Sequence, residues 1–182
     1  KDGRSCAERG IAGGTGWVTG ANFLLEKPEG FKLLVDCGMI QGEHMAEFDN
    51  WDAFPYDPKS IDVLIVTHAH EDHIGRIPKL VFEGFNGRII STPATRDLAG
   101  IMLEDTAHIL SGGRTAQQFH LTKMYSAEVI GRAMAMWDTH AYHEHFMLDG
   151  DLSVSFKDAG HILGSAMAEI TYNGSKIVCT GD

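Results

Sequence analysis

Cysteine is scarce: Cys6, Cys37 and Cys179 are odd in number and lack CxxC spacing, which argues against both a disulfide framework and a thiolate zinc cage. Basic charge is also short, with Lys+Arg 15 against Asp+Glu 25 and a formal charge of −10. That acidity disfavours a surface holding nucleic acid through phosphate contacts alone. A bound polyanion would have to meet a local positive charge, and divalent cations can supply one. No apolar run approaches the roughly 20 residues that cross a bilayer, and the opening KDGRSCAERG is too polar for a signal peptide. Internal repeats and low-complexity segments are absent as well. The expectation is a soluble protein of a reducing, cytoplasmic compartment with no membrane partner.

What is present suffices for one core. Hydrophobic residues form 43% of the 182 and charged residues 22%, which excludes disordered and fibrous classes. At about 150 residues per domain the length predicts a single domain.

Gly16 to Leu25 and Phe31 to Asp36 read as strands of a hairpin turned at Lys27-Pro28-Glu29-Gly30. After a polar loop from Gly38 to Ser60, the run Ile61 to Val66 predicts a buried strand leading into THAHEDH. Apolar residues at helical spacing from Ile74 to Phe85 predict a helix, followed by a strand over Arg88 to Ser91. Thr92-Pro93 opens a second helix that runs to about Leu110, before Gly112-Gly113. Ser126 to Thr139 reads as a third, with Val129, Ala133 and Trp137 on one face. Strands follow at Tyr142 to Leu148, Leu152 to Lys157, Ala166 to Tyr172 and Lys176 to Thr180, with turns at Asp149-Gly150 and Asn173-Gly174. Strands, helices and strands in that order predict a layered α/β (α+β) architecture.

The densest chemistry lies in Thr67-His68-Ala69-His70-Glu71-Asp72-His73, where three imidazoles and two carboxylates stand between a strand and a helix. In an extended segment, side chains at i and i+2 point the same way, so His68 and His70 can grip one ion. Asp72 and His73, where the chain turns into the helix, can face a second. Imidazole with carboxylate suits Zn²⁺ and, less selectively, Fe or Mn. A rival set, His140, His143 and His145, reads as a polar strand face, and His44, His108 and His120 receive no role. Gly13-Gly14-Thr15-Gly16 lacks the Lys-Ser/Thr ending of a phosphate loop and reads as a glycine-rich hairpin. Met134 and Met136 read as core packing beside Trp137. Arg76, Lys79 and Arg88 are balanced between substrate-phosphate contacts and ordinary surface. On its own, Asp36 could cap a turn and His161 could be an ordinary loop residue.

HxHxDH is the signature of the metallo-β-lactamase superfamily, and DAGHILGSA from Asp158 to Ala166 resembles the third metal motif of its β-CASP nuclease branch, related to the cleavage and polyadenylation endonuclease. VTGANFLLE (18–26), VDCG (35–38), HAHEDHIGRIPKL (68–80) and TPATRDLAGIMLEDTAHI (92–109) resemble the same branch, so the likeness covers nearly the whole chain after about residue 12. The fold this implies is an αββα sandwich. Residues 1–182 would be its N-terminal portion, ending before the β-CASP insertion.

Carried over position by position, the resemblance implies that His68, His70 and His161 bind a first zinc, that Asp72 and His73 bind a second, and that Asp182 bridges them. Asp36 would orient ligands from behind. Catalysis would rest on Asp72, Asp182 and His161, with RNA phosphodiesters hydrolysed by a hydroxide held between two Zn²⁺ ions, leaving a 5′-phosphate and a 3′-hydroxyl. DNA-repair members tend to carry a Cys-Pro version of the third motif, so Ile162-Leu163-Gly164 favours RNA. Partners would be an RNA substrate and, for assembly, a second copy in a homodimer. Thioester or lactone hydrolysis on the same scaffold, or a non-catalytic RNA-processing subunit, are the alternative classes. The chain opens without methionine and closes on Gly181-Asp182 in mid-motif, so it is expected to be a fragment of a longer protein that binds metal incompletely and cleaves RNA poorly by itself.

Overall fold

Residues 33–35, 63–65 and 89–90 are apolar on both faces, which suits strands buried between two layers. A computed structural model describes residues 19–42, 50–111 and 120–182 and places these runs at the centre of a five-stranded sheet ordered β1-β2-β3-β4-β5. Its strands are β1 (Phe23–Glu26), β2 (Lys32–Val35), β3 (Val63–Ile65), β4 (Arg88–Ser91) and β5 (Trp137–Thr139). β1 and β2 form the antiparallel hairpin, and β2 to β5 run parallel. A second sheet is an antiparallel meander of β6 (His145–Asp149), β7 (Leu152–Asp158), β8 (Ala166–Tyr172) and β9 (Ser175–Cys179).

Side-chain alternation divides the first sheet between two cores. Leu33, Val35, Val63, Ile65 and Ile90 face the second sheet and meet Phe146, Val154, Phe156 and Ile170. Leu34, Leu64 and Ile89 face the helices, where they meet Ile74, Leu80, Leu103, Ile130 and Ala133. The helices are α1 (Glu71–Ile74), α2 (Ile77–Phe82), α3 (Pro93–Leu110), α4 (Leu121–Met124) and α5 (Ala127–Ala135). The order of layers is therefore helix, sheet, sheet. Lys27 ties the two sheets at one edge, its ammonium 2.8 Å from Asp149 and 3.2 Å from Asp151. These carboxylates raise its pKa against the opposing effect of burial.

Three elements differ from the sequence reading. The helix expected over Ile74 to Phe85 is split into α1 and α2, because the Arg76 amide donates to the Cys37 carbonyl (2.9 Å) instead of continuing one helical ladder. Trp137 continues the helical spacing of Val129 and Ala133, yet it begins β5, paired with Ile89 of β4. Its indole N–H donates to Ser91 at 2.9 Å, and sheet pairing overrides periodicity at the chain's exit from α5. α4 had no periodic signal, being a single turn. Cys6, His44, the Gly13 to Gly16 hairpin, the start of the first strand and Gly112-Gly113 lie outside the described residues.

Candidate metal centre

Loops at the ends of parallel strands carry the site, as is usual for open α/β sheets. β2 ends in Asp36-Cys37-Gly38 and β3 in Thr67 to His70, and backbone bonds join the two loops. Cys37 N donates to His73 O (2.8 Å), Met39 N to Glu71 O (2.9 Å) and Ala21 N to Asp72 O (2.9 Å). The approach is so close that a Cβ on Gly38 would lie 1.5 Å from the Asp72 carbonyl oxygen, so only glycine fits there.

Asp36 organises what stands above. It adopts φ +58, a left-handed conformation that aspartate tolerates, and is buried. Its Oδ1 accepts from the Thr67 amide, and its Oδ2 accepts from the Thr67 hydroxyl and from His73 Nδ1, each at 2.8 Å. With its proton on Asp36, Thr67 Oγ1 can only accept from His68 Nδ1, 3.1 Å away. This hydrogen-bond logic puts the protons of both His68 and His73 on Nδ1 and leaves both Nε2 lone pairs free.

The third loop, between β7 and β8, brings His161 over. Asp158 Oδ1 accepts from Gly160 N (2.9 Å), and Ser165 Oγ accepts from His161 N (3.1 Å) and Ile162 N (3.2 Å). Ala166 N then docks on the Thr67 carbonyl at 2.9 Å.

His68, His70, His161 and Asp182 form one group of facing donors, and Asp72, His73 and Asp182 form another. His70 Nδ1 lies 3.1 Å from His68 Nε2 and 3.0 Å from His161 Nε2. One proton cannot satisfy three nitrogens that face one another, whereas a cation can. Ligands at 2.0–2.1 Å in a tetrahedron stand about 3.3 Å apart, close to this spacing. Asp182 reaches both groups, with Oδ1 3.3 Å from His73 Nε2 and Oδ2 3.9 Å from His68 Nε2 and 3.8 Å from His161 Nε2. Asp72 Oδ2 is 3.9 Å from His73 Nε2. The donor set therefore fits a pair of divalent cations. All the positions singled out as ligands in the sequence come together, and Asp36 lies directly behind His73.

Protonation follows from the surroundings. Burial, with the neighbouring His73 and His70, pushes His68 down to about 3, so its imidazole is neutral and able to ligate at pH 7. Burial opposes charge on His73 too, but the hydrogen bond and charge of Asp36, aided by Asp72 and Asp182, outweigh it and raise its pKa. Burial also pushes the Cys37 thiol up to about 12 and Cys179 up to about 11, so neither offers a thiolate at neutral pH. A cleft of about 380 Å³ opens beside the second group, lined by Phe23, Asp36, His73, Cys179 and Asp182.

Two residues balanced between phosphate contact and surface are neither. Arg76 is buried, its Nε donating to the Gly38 carbonyl at 2.6 Å and its guanidinium 5.4 Å from the Phe54 ring centre. Lys79 is wholly buried, 3.8 Å from that ring centre and 2.9 Å from Glu83. Helix α2 buries every residue but Phe82, and Phe54 lies against the cations of Arg76 and Lys79. Arg88 remains exposed. In the rival histidine set, His140 Nδ1 is 2.7 Å from Glu144, and its ring stacks on Phe146 at 3.8 Å. His143 Nδ1 faces the Lys157 ammonium at 3.3 Å. Among the described residues that set forms no cluster of facing donors. Thr67, Ser165 and Gly38, which position the candidate ligands, lie within the quoted motifs, but the sequence assigned them no role of their own.

Known proteins resemble this chain throughout. The family model described as the metallo-beta-lactamase superfamily matches residues 15–182. "Ribonuclease TTHA0252" of Thermus thermophilus is 37% identical over 165 residues, which cover 91% of this chain and 35% of that protein. An "RNase J-like protein" of Methanocaldococcus jannaschii is 35% identical over 83% of this chain and 30% of its own length. "Cleavage and polyadenylation specificity factor 73" of Drosophila melanogaster is 32% identical over 93% and 24%. The chain thus spans about a third or less of these curated relatives. The crystal structure of the metallo-beta-lactamase fold protein YhfI from Bacillus subtilis superposes with a TM-score of 0.52 at 18% identity, covering 97% of this chain and 59% of that one, which shows the shared fold. With this fold, and with a family match that spans all three ligand-bearing loops, the chain belongs to the metallo-β-lactamase superfamily.

Proposed function

We propose that residues 1–182 are the N-terminal part of the metallo-β-lactamase domain of a β-CASP ribonuclease, and that they hold two zinc ions which hydrolyse RNA phosphodiester bonds. The observation that carries this reading is the place of Asp182 in both donor groups. A carboxylate shared between a three-imidazole group and an Asp–His group is what a dinuclear centre requires, and a dinuclear centre suits an in-line displacement at phosphorus. The names of the relatives, a ribonuclease, an RNase J-like protein and a cleavage and polyadenylation factor, support RNA as the substrate.

His68, His70, His161 and Asp182 would hold one ion, and Asp72, His73 and Asp182 the other. When bound, such a pair supplies a Lewis acid for the phosphate oxygens and lowers the pKa of water to about 7. The protein's own contribution is to orient the donors, with His68 kept neutral by burial. Asp36 accepts from Thr67 and from His73, Thr67 accepts from His68, and both Nε2 atoms are thereby aimed at the ions. Asp182, half-exposed at the mouth of the cluster, also stands where it can accept a proton from an attacking water. Two cations beside three carboxylates would give an RNA phosphate a favourable local field on an otherwise acidic chain.

The test is cleavage of single-stranded RNA by a longer natural chain carrying this sequence. Asp72→Ala and His161→Ala are expected to lower kcat/KM by at least about 100-fold, since even residues behind the ligands cost 10–100-fold when removed. Unchanged cleavage by both would remove the assigned site. Purification without metal would favour a non-catalytic scaffold instead.

A further inference from the structure

The loop that presents His161 is held a second time, by the N-terminus of α3. The Gly164 carbonyl oxygen accepts from Thr92 Oγ1 at 2.6 Å and from Thr95 Oγ1 at 2.8 Å, so both of its lone pairs are used. Both threonines are buried, and Thr92 Oγ1 also caps the helix by accepting from Thr95 N at 3.4 Å. Contact is direct along the backbone. A Cβ on Gly164 would lie 2.5 Å from Thr95 N and 2.8 Å from Thr95 Oγ1, and Gly164 sits at φ +84. From this grip the chain runs through Ser165, whose Oγ takes the His161 amide and whose carbonyl accepts from the Tyr142 hydroxyl at 2.8 Å. At its other end α3 reaches the first ligand loop, where the Thr106 hydroxyl donates to the Glu71 carboxylate. One helix thus touches both loops that carry the imidazoles.

We propose that Thr92 and Thr95 are positioning residues for the metal centre: their hydroxyls fix Gly164 and so set where His161 Nε2 stands relative to His68 and His70. This rests on the two-metal reading above. A hydroxyl pair on a single carbonyl specifies position, because a shift of the loop that breaks either bond leaves a buried acceptor unsatisfied. A ligand held in place loses less freedom on meeting the ion, so positioning groups behind ligands add to affinity. The clamp acts on the His161 loop and not on Asp72 or His73, so the second ion should feel it less than the first, through the shared Asp182 alone.

Zinc titration by calorimetry of the metal-free form of the longer natural chain that carries this sequence tests this. Thr95→Val keeps the shape and one remaining hydroxyl on Gly164, and is expected to weaken about 10-fold the equivalent that His161→Ala abolishes, with a clearly smaller effect on the equivalent that His73→Ala abolishes. The double change Thr92→Val with Thr95→Val should weaken the same equivalent about 100-fold, and Thr95→Ser should restore it. Lys27→Met, which removes the ties to Asp149 and Asp151, serves as a destabilised control with both affinities intact. Should the double variant not fold, the single variant decides. Equal weakening of both equivalents, or a lower melting temperature with both affinities unmoved, would overturn the positioning role. Wild-type chain that takes up no zinc would remove the metal reading itself and this inference with it.

Discussion

Asp36→Ala is expected to destabilise the chain by about 3–5 kcal/mol, the cost of removing one partner from a buried ionic pair. The change strands three donors at once: the Thr67 amide, the Thr67 hydroxyl and His73 Nδ1, each 2.8 Å from the carboxylate. It also puts alanine at φ +58, a conformation that aspartate and asparagine accept more readily. For a domain of this size the loss corresponds to a fall in melting temperature of roughly 10 °C. Asp36→Asn separates stability from ligation. Asparagine keeps the volume and can still accept from the Thr67 amide, but its NH₂ faces His73 Nδ1 and forces the proton onto Nε2. The metal that His73 would hold should then bind about 10–100-fold more weakly, with a smaller loss of stability. Thermal melts without metal and zinc titrations of both variants check this, and equal zinc affinity in Asp36→Asn and wild type would refute the orienting role.

The second large effect is a pH dependence of the metal-free chain. Folding pushes the His68 pKa from 6.5 down to about 3. As pH falls below 6.5 the unfolded chain takes up a proton that the folded chain refuses, so this contribution to stability is present above 6.5 and is lost on acidification toward 3. From pH 7.5 to pH 5 the loss amounts to about 2 kcal/mol. His73 has the opposite sign. Its pKa is raised, so its contribution is full below 6.5 and is lost as pH rises through the folded value. Subtracting His68→Gln from wild type isolates the first term. In urea melts with a chelator present, wild type is expected to lose about 2 kcal/mol more than the variant between those pH values. Parallel losses would show that His68 is not held neutral by its surroundings.

The sequence disclosed the site more fully than the fold. The candidate ligands sit in two short stretches, 68–73 and 158–166, where spacing in the chain is already spacing in space, and Asp182 faces both groups. The residues that aim those ligands are harder to see, because they act through tertiary contact. Thr67, Ser165, Thr92 and Thr95 are ordinary polar residues until folding turns their hydroxyls toward particular atoms. Arg76 and Lys79 fail in the reverse direction: cations on a short helix suggest a phosphate contact, but the loop bearing Phe54 folds over them. Strands β4 and β8 and the bounds of α3 were legible from β-branched runs, an Asn-Gly turn and a Thr-Pro opening. Trp137 was not, because a residue at helical spacing can equally end one element and begin the next.

The measurement that bears most directly on the paired-cation centre is an anomalous difference map from crystals of the protein grown with zinc. Two peaks are expected about 3.5–4 Å apart. One should lie among His68 Nε2, His70 Nδ1 and His161 Nε2, the other against His73 Nε2 and Asp72, with Asp182 between them. Zinc bound elsewhere with this cluster empty would contradict the account.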